Sequence, residues 1–166
     1  MTGHTGGCQC GAVRYTLTAD QITAYACHCL ECQKQSASAF AISVPVRTRD
    51  LTVDGPLTAY ERATDSGSRT NCWFCSVCGT RVYHQSARSA DVVTLKGGTL
   101  DDAAGLKPVA HLWVSRRHAW VGLAADVDMF DTQPNDLKAW RDALLDNGKA
   151  HPAPRPEPTD RRHTCP

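Results

Sequence analysis

The 166-residue chain lacks the features that mark a membrane or nucleic-acid-binding protein. No apolar run approaches the roughly 20 residues of a spanning helix, and the start, MTGHTGGCQCGAVRY, lacks the apolar core of a secretory signal. The 18 basic and 17 acidic residues give a formal net charge of +1, too little for strong attraction to nucleic acid or anionic lipid. We therefore expect a cytoplasmic protein with no nucleic-acid or membrane partner.

Several common catalytic signatures are also missing. The sequence has no phosphate-binding loop, no dinucleotide fingerprint, no recognisable Ser-His-Asp arrangement and no internal repeat of 20–50 residues. These absences argue against nucleotide chemistry, triad hydrolysis and a solenoid fold. What remains distinctive is the cysteine content.

Seven of the nine cysteines occur in close groups, with the patterns C-x-C, C-x-C-x2-C and C-x2-C. Cysteines this close in sequence bind one metal ion more readily than they pair with distant partners, and a reducing compartment disfavours disulfides. The spacing therefore predicts metal sites. The cysteines are Cys8, Cys10, Cys27, Cys29, Cys32, Cys72, Cys75, Cys78 and Cys165.

Two of the groups can form a closed site. A C-x2-C turn directs two thiolates to one metal, and the glycine that follows, Gly79, accepts backbone angles that a β-carbon opposes. Residues i and i+2 of an extended segment face the same side, so Cys8 and Cys10 can supply the second pair. Cys8, Cys10, Cys75 and Cys78 are thus predicted to hold a structural zinc ion.

The third group, Cys27, Cys29 and Cys32, offers only three thiolates. By the same strand alternation, His28 points away from them and is predicted to be a packed or surface residue. A fourth ligand could come from Cys72, Glu31, His84 or His111, and these alternatives stay open. If none of them reaches the metal, the fourth position belongs to water or substrate, as in catalytic zinc sites.

Secondary structure is predicted to be mainly β. Short strand-like runs include AVRYTLTA (12–19), SAFAISVPV (38–46), DVVTLKGG, VAHLWVS and AWVGL (119–123). Asp54-Gly55-Pro56 indicates a turn or a hairpin. The segment RTNCWFCSVCGTRVYHQS is predicted to form two strands joined by a Cys-rich turn. Pro45 indicates an edge strand or the end of a strand.

One short C-terminal helix is predicted from apolar residues at helical spacing. Asn135 or Asp136 would cap it, Gly148 would end it, and its apolar stripe is Leu137, Trp140, Leu144 and Leu145. We expect one domain over residues 1–148 and a Pro-rich, disordered tail over 149–166.

Three cysteine motifs carry a family resemblance. GGCQCGAVRY, CHCLECQKQS followed by SAF, and WFCSVCGTRVYH, in this order, resemble the glutathione-dependent formaldehyde-activating enzyme family, which includes the centromere protein V-like proteins. The later LKGGTLDD, LKPVAHLWVSRRHAWV and QPND are similar to its C-terminal half. The resemblance covers about residues 3–140.

The resemblance implies a fold of several small coiled antiparallel sheets stapled by zinc, the β-tent type. It implies two zinc ions, one held by Cys8, Cys10, Cys75 and Cys78, the other by Cys27, Cys29 and Cys32 with an open or exchangeable position. The implied activity is that of a carbon–sulfur lyase of the S-hydroxymethylglutathione synthase type, acting on glutathione and formaldehyde or a related small aldehyde.

Substrate contacts and alternatives complete the expectations. Lys34 and Ser36 follow the third cysteine and are candidates to contact a carboxylate of the thiol substrate, with solvated turn residues as the competing interpretation. Trp73 and Trp113 are candidate pocket residues.

The alternatives to the enzyme are a non-catalytic zinc module that binds a partner protein, which a fourth cysteine ligand would favour, and a thiol redox enzyme that uses Cys72 and Cys165.

Overall fold

The computed structural model describes residues 3–64 and 67–147, which form eleven strands and two α-helices. Three 3-10 helices at 48–50, 97–99 and 114–116 connect some of them. The helices are α1, Leu30–Ser36, and α2, Leu137–Asn147. The strands are β1 His4–Gly7, β2 Arg14–Leu17, β3 Ala24–Cys27, β4 Ala41–Arg47, β5 Leu51–Asp54, β6 Leu57–Ala63, β7 Arg69–Cys75, β8 Arg81–Ser86, β9 Val92–Lys96, β10 Pro108–Leu112 and β11 Asp128–Phe130.

The prediction of a mainly β fold with a C-terminal helix is confirmed. The strands form a three-stranded sheet in the order β1-β2-β5 and an eight-stranded sheet in the order β11-β10-β3-β4-β9-β8-β7-β6. Most neighbours are antiparallel, as expected, but β10 runs parallel to both β3 and β11. No helix in the described part of the chain is long and apolar enough to cross a membrane.

Each face of the eight-stranded sheet contributes to a separate hydrophobic core. The first core joins Val44, Val46 and Leu95 to Tyr15 and Leu17 of the smaller sheet. Side chains alternate along a strand, so the neighbours of these residues point to the other face. That face carries the second core, which lies under α2 and contains Tyr25, Cys27, Ala41, Ala110, Leu112, Trp140 and Leu144.

The helix α2 follows its sequence pattern closely. Asp136 caps it, because its carboxylate accepts a hydrogen bond from the Ala139 N–H at 2.9 Å. Trp140 and Leu144 are buried, and the Trp140 ring meets Tyr25 edge-on at 5.3 Å between ring centroids. Arg47 of β4 binds Asp142 at 2.8 Å, which anchors α2 to the sheet. Gly148 and the predicted tail lie outside the described residues.

The seven-residue helix α1 was not predicted. It begins inside the motif CHCLECQ, where Cys29 is the N-cap and its sulfur accepts a hydrogen bond from the Cys32 N–H at 3.4 Å. Ala37 ends the helix in the left-handed conformation, with φ of 48°. A cysteine is an unusual cap and α1 has little apolar periodicity, so the usual start and stop signals are missing.

Two local predictions need correction. Residues 119–123, predicted as a strand, form a turn and an irregular segment, because the Arg117 guanidinium binds the Val121 carbonyl that a sheet neighbour would need. Asp54-Gly55-Pro56 makes a turn but not a hairpin, since β5 pairs with β2 and β6 pairs with β7.

Two other local predictions hold. The Cys-rich turn joins β7 and β8, which pair antiparallel. On one side, Pro45 of β4 pairs with Thr94 of β9. On the other side, only the three residues of β4 that precede Pro45 by two or more positions pair with β3. At Pro45, β4 is therefore an edge on that side.

The turn at Gly55 provides a test of this topology. Gly55 has φ of +107°, and a β-carbon there would overlap the Ala12 carbonyl oxygen. We expect Gly55→Ala to lower the free energy of unfolding by about 2 to 4 kcal/mol, from backbone strain plus displacement of β2. Urea denaturation measures this.

Gly122→Ala is the matched control, since its β-carbon would meet nothing within 4 Å. Equal stability of the two variants would contradict the close approach of the turn to Ala12.

Candidate metal centres

The structure brings seven of the nine cysteines into two clusters that could hold metal ions. Within each cluster all sulfur atoms lie within 4.8 Å of one another. The four-cysteine site consists of Cys8, Cys10, Cys75 and Cys78, and the three-cysteine site of Cys27, Cys29 and Cys32. These are the two groups that the sequence spacing predicted.

The four-cysteine site is built from two tight turns. In the first, the Gly11 N–H binds the Cys8 carbonyl at 3.1 Å, and Gly11 has φ of +80°. In the second, the Gly79 N–H binds the Cys75 carbonyl at 2.9 Å, and Gly79 has φ of +75°. Cys8 and Cys10 therefore converge through a turn, whereas the sequence predicted an extended segment. A hydrogen bond from the Gln9 N–H to the Thr80 hydroxyl at 3.2 Å joins the turns.

The sulfur geometry of this site fits zinc. A tetrahedral ion with Zn–S bonds of about 2.3 Å places its sulfur ligands about 3.8 Å apart. The Cys8 and Cys10 sulfurs are 3.5 Å apart, and those of Cys10 and Cys75 are 3.9 Å apart. The Val13 N–H donates to the Cys8 sulfur at 3.2 Å, the kind of outer contact that orients a thiolate ligand.

Protons are shared unevenly among these four thiols. The pKa of Cys78 falls to about 5, chiefly because the hydroxyl and backbone N–H of Thr80 stabilise its thiolate. The Ala12 N–H lowers the pKa of Cys10, but hydrogen bonding with Cys8 and Cys78 outweighs it and raises that pKa to about 12. The four thiols can ionise together only around a cation, whose binding releases the remaining protons.

The three-cysteine site forms where β3 passes into α1. Cys27 is the last residue of β3, Cys29 caps α1, and Cys32 lies in its first turn. The chain turns at Cys29 and through the first turn of α1. This turn brings the Cys32 sulfur close to the sulfurs of Cys27 and Cys29. All three sulfurs are soft ligands suited to zinc.

Ionisation at this site is concentrated on Cys29. Hydrogen bonds from Cys27 and then Cys32, with further help from backbone N–H groups, lower the pKa of Cys29 to about 2. Hydrogen bonds with Cys29 and Cys32, together with burial, raise the pKa of Cys27. Opposing effects act on Cys32. A hydrogen bond with Cys27 and then the Lys96 charge lower its pKa, whereas a hydrogen bond with Cys29 and burial raise it. The resulting pKa of Cys32 is about 11.

Apolar side chains cover the three-cysteine site. Cys27 and Cys32 are buried in the second core, and Cys29 is half-buried against it. Trp113 packs against the same core, and Trp140 of α2 belongs to it. The site is therefore largely shielded from water.

His28 points away from the three cysteines, as strand alternation predicted. It is fully buried, with Nε2 lying 3.0 Å from His111 Nδ1, and its ring packs against Phe40. Burial, followed by the charges of His111 and Arg117, lowers the pKa of His28 to about 4. Both histidines lie outside the metal clusters of the described residues.

The structure also places the other candidates for a fourth ligand outside the three-cysteine cluster. Among the described residues, neither Glu31, His84 nor Cys72 belongs to a metal-binding group. Cys72 is fully buried on β7, between Tyr60 of β6 and His84 of β8. Cys165 lies outside the described residues.

Lys34 and Ser36, the predicted substrate contacts, both lie on α1. Lys34 is exposed. The Ser36 hydroxyl is 2.7 Å from the Cys32 carbonyl and 3.1 Å from the Phe40 carbonyl, so it binds the backbone at the end of the helix. Neither contact with substrate has been tested, and both stay predictions.

Sequence reasoning missed Lys96 as a residue of this region. It ends β9, whose five residues are all buried, and only 9% of its surface is exposed. Its ammonium makes no hydrogen bond in the described part of the chain. The available signal was a lysine on an otherwise apolar strand run, Val92-Val93-Thr94-Leu95-Lys96.

One comparison with known proteins supports the resemblance carried by the cysteine motifs. The family model described as glutathione-dependent formaldehyde-activating enzyme matches residues 3–116. Among solved structures, a Rhodobacter sphaeroides protein is 28% identical, with a TM-score of 0.47, over 63% of this chain and 91% of its own. None of the curated proteins compared with the chain matches it.

Two buried cysteines of β7 provide a test of the metal assignment. Cys72 and Cys75 are both 0% exposed, yet only Cys75 belongs to a cluster. We expect Cys75→Ser to lose one zinc ion per chain and to unfold at lower temperature, because a ligand is removed from a site coupled to folding. Metal analysis by mass spectrometry and thermal unfolding measure both effects.

Cys72→Ser is the matched control, and it should retain the full zinc content. Loss of zinc from Cys72→Ser would mean that Cys72 is a ligand and that the three-cysteine site is closed.

Proposed function

The chain belongs to the glutathione-dependent formaldehyde-activating enzyme family, and from this premise we propose that it is a zinc-dependent carbon–sulfur lyase. Its substrates would be glutathione, or another small thiol, and formaldehyde or a related small aldehyde. The observation that carries the proposal is the three-cysteine site, which has three thiol ligands and no fourth among the described residues. A cytoplasmic location would keep all nine thiols reduced.

Cys27, Cys29 and Cys32 would hold the reactive zinc, and Cys8, Cys10, Cys75 and Cys78 the structural one. When bound at the three-cysteine site, zinc would favour the thiolate form of an incoming thiol near neutral pH.

The reaction itself is a reversible addition. The thiol sulfur forms a bond to the carbonyl carbon, the π electrons of the C=O bond move to oxygen, and that oxygen takes the proton that the thiol lost. The product is an S-hydroxymethyl thiol. The reverse reaction breaks the same carbon–sulfur bond, and neither direction requires an oxidant or a covalent protein nucleophile.

The chain's own residues support this chemistry in two ways. The Cys32 N–H and the cap geometry of Cys29 fix the sulfurs at the start of α1. The core that includes Trp140, with Trp113 packed against it, buries Cys27 and Cys32, and a site poor in water strengthens electrostatic interactions and limits competing reactions with water.

Glutathione binding tests the proposal directly. The protein is loaded with Co²⁺, and glutathione is titrated while the thiolate-to-cobalt charge-transfer absorption is recorded. We expect the absorption to change and saturate, because the substrate thiolate joins the three-cysteine site.

The control for this titration is S-methylglutathione, which has no free thiol. We expect it to add no new thiolate-to-cobalt absorption. An unchanged spectrum with glutathione itself would contradict the lyase proposal and favour a non-catalytic zinc module that binds a partner protein.

A further inference from the structure

His84 and Lys96 lie on adjacent strands of the sheet face that carries the three-cysteine site, since His84 pairs with Thr94, two residues before Lys96. Lys96, Arg141, Arg62 and Arg81 are the charges that most strongly affect His84, and together with burial, the largest cause, they lower its pKa well below the usual value. We call Lys96, Arg62, Arg81 and Arg141 the cation cluster. They come from β9, β6, β8 and α2, so the group exists only in the folded chain.

The cation cluster lacks the carboxylate partners that other cations of this protein have. Arg14, Arg47, Arg69 and Lys138 each form a salt bridge with an acidic side chain. Within residues 3–64 and 67–147, no salt bridge involves a member of the cation cluster.

Three buried polar atoms in this region also lack a hydrogen-bond partner. They are Lys96 Nζ, Arg62 Nε and His84 Nδ1. An ammonium removed from water without a partner costs several kcal/mol. Arg62 lies on β6, three strands from Lys96 on β9, so these atoms do not share one point, and the unpartnered ammonium of Lys96 is the atom that an anion would stabilise.

The cation cluster adjoins the three-cysteine site from two directions. Lys96 pairs with Ser43, which pairs with Tyr25, so Lys96 lies two strands from β3, about 10 Å at the backbone. A lysine side chain can span much of that distance. From the other direction, Arg81 Nη1 lies 3.4 Å from Oε1 of Gln35, one turn after Cys32 on α1.

We propose that Lys96, together with Arg81 of the neighbouring strand, forms a subsite that binds a carboxylate of the thiol substrate. The proposal rests on the proposed function for the thiol half of the ligand. It assigns the anionic half to these two cations: Lys96 supplies a buried point charge, and the half-buried Arg81 supplies a planar donor group suited to carboxylate. Lys34, exposed on α1, is not part of this subsite.

Three ligands separate the contributions of thiol and carboxylate. Glutathione carries both groups, S-methylglutathione carries the carboxylates without a free thiol, and 2-mercaptoethanol carries the thiol without a carboxylate. Isothermal titration calorimetry of the zinc-loaded protein measures the affinity for each. Lys96→Met removes the charge at similar volume, and Lys107→Met, at an exposed lysine, is the matched control.

We expect Lys96→Met to weaken glutathione and S-methylglutathione binding by about tenfold to a hundredfold, and to leave 2-mercaptoethanol binding unchanged. Lys107→Met should change none of the three affinities. Lys96→Met should also be at least as stable as the parent protein in thermal unfolding, because it removes an unpaired buried charge.

Two results would overturn the subsite. One is unchanged glutathione affinity in Lys96→Met. The other is an equal loss for 2-mercaptoethanol, which would mean that Lys96 compensates the charge of the thiolates. If Lys96→Met does not fold, Arg81→Met with the same ligands decides in the same way.

The subsite and the proposed function can fail separately. If S-methylglutathione binds in a Lys96-dependent way but no thiol perturbs the cobalt site, the subsite stands and the lyase proposal fails. If glutathione perturbs the cobalt site but S-methylglutathione does not bind, the lyase proposal stands and the subsite fails.

Discussion

Repulsion between neighbouring thiolates is the constraint on which this structure depends. Seven thiols lie in two clusters with sulfurs within 4.8 Å of one another, and each cluster can ionise fully only around a cation. Each of the two hydrophobic cores contains cysteines of one cluster: Cys8 and Cys75 in the first, Cys27 and Cys32 in the second. Metal binding and core formation are therefore linked on both faces of the large sheet.

The two clusters differ in environment as well as in ligand number. The four-cysteine site lies between two turns, with Cys10 exposed, so solvent can screen the excess negative charge of four thiolates on a divalent ion. Cys27 and Cys32 of the three-cysteine site are buried in the second core, where screening by solvent is weak. Lys96 lies two strands from β3 on the same face, where we assign it to the carboxylate of the substrate.

Local spacing made the cysteine clusters, the orientation of His28 and the helix α2 predictable, because each depends on residues a few positions apart. The parallel pairing of β10 with β3 was not predictable in this way, since it joins segments more than 80 residues apart. The same limit applies to the cation cluster. Arg62, Arg81 and Lys96 are placed on one sheet by the order β9-β8-β7-β6, and no sequence motif contains them.

Alternation along β9 shows how one strand serves both faces. Val93 and Leu95 enter the first core, while Thr94 and Lys96 point to the face of the three-cysteine site. An apolar residue at position 96 would fill the space without the desolvation cost of an unpaired ammonium, so Lys96 does not serve the stability of this sheet. Its contribution must come from an anion, and we assign that anion to the carboxylate of the substrate.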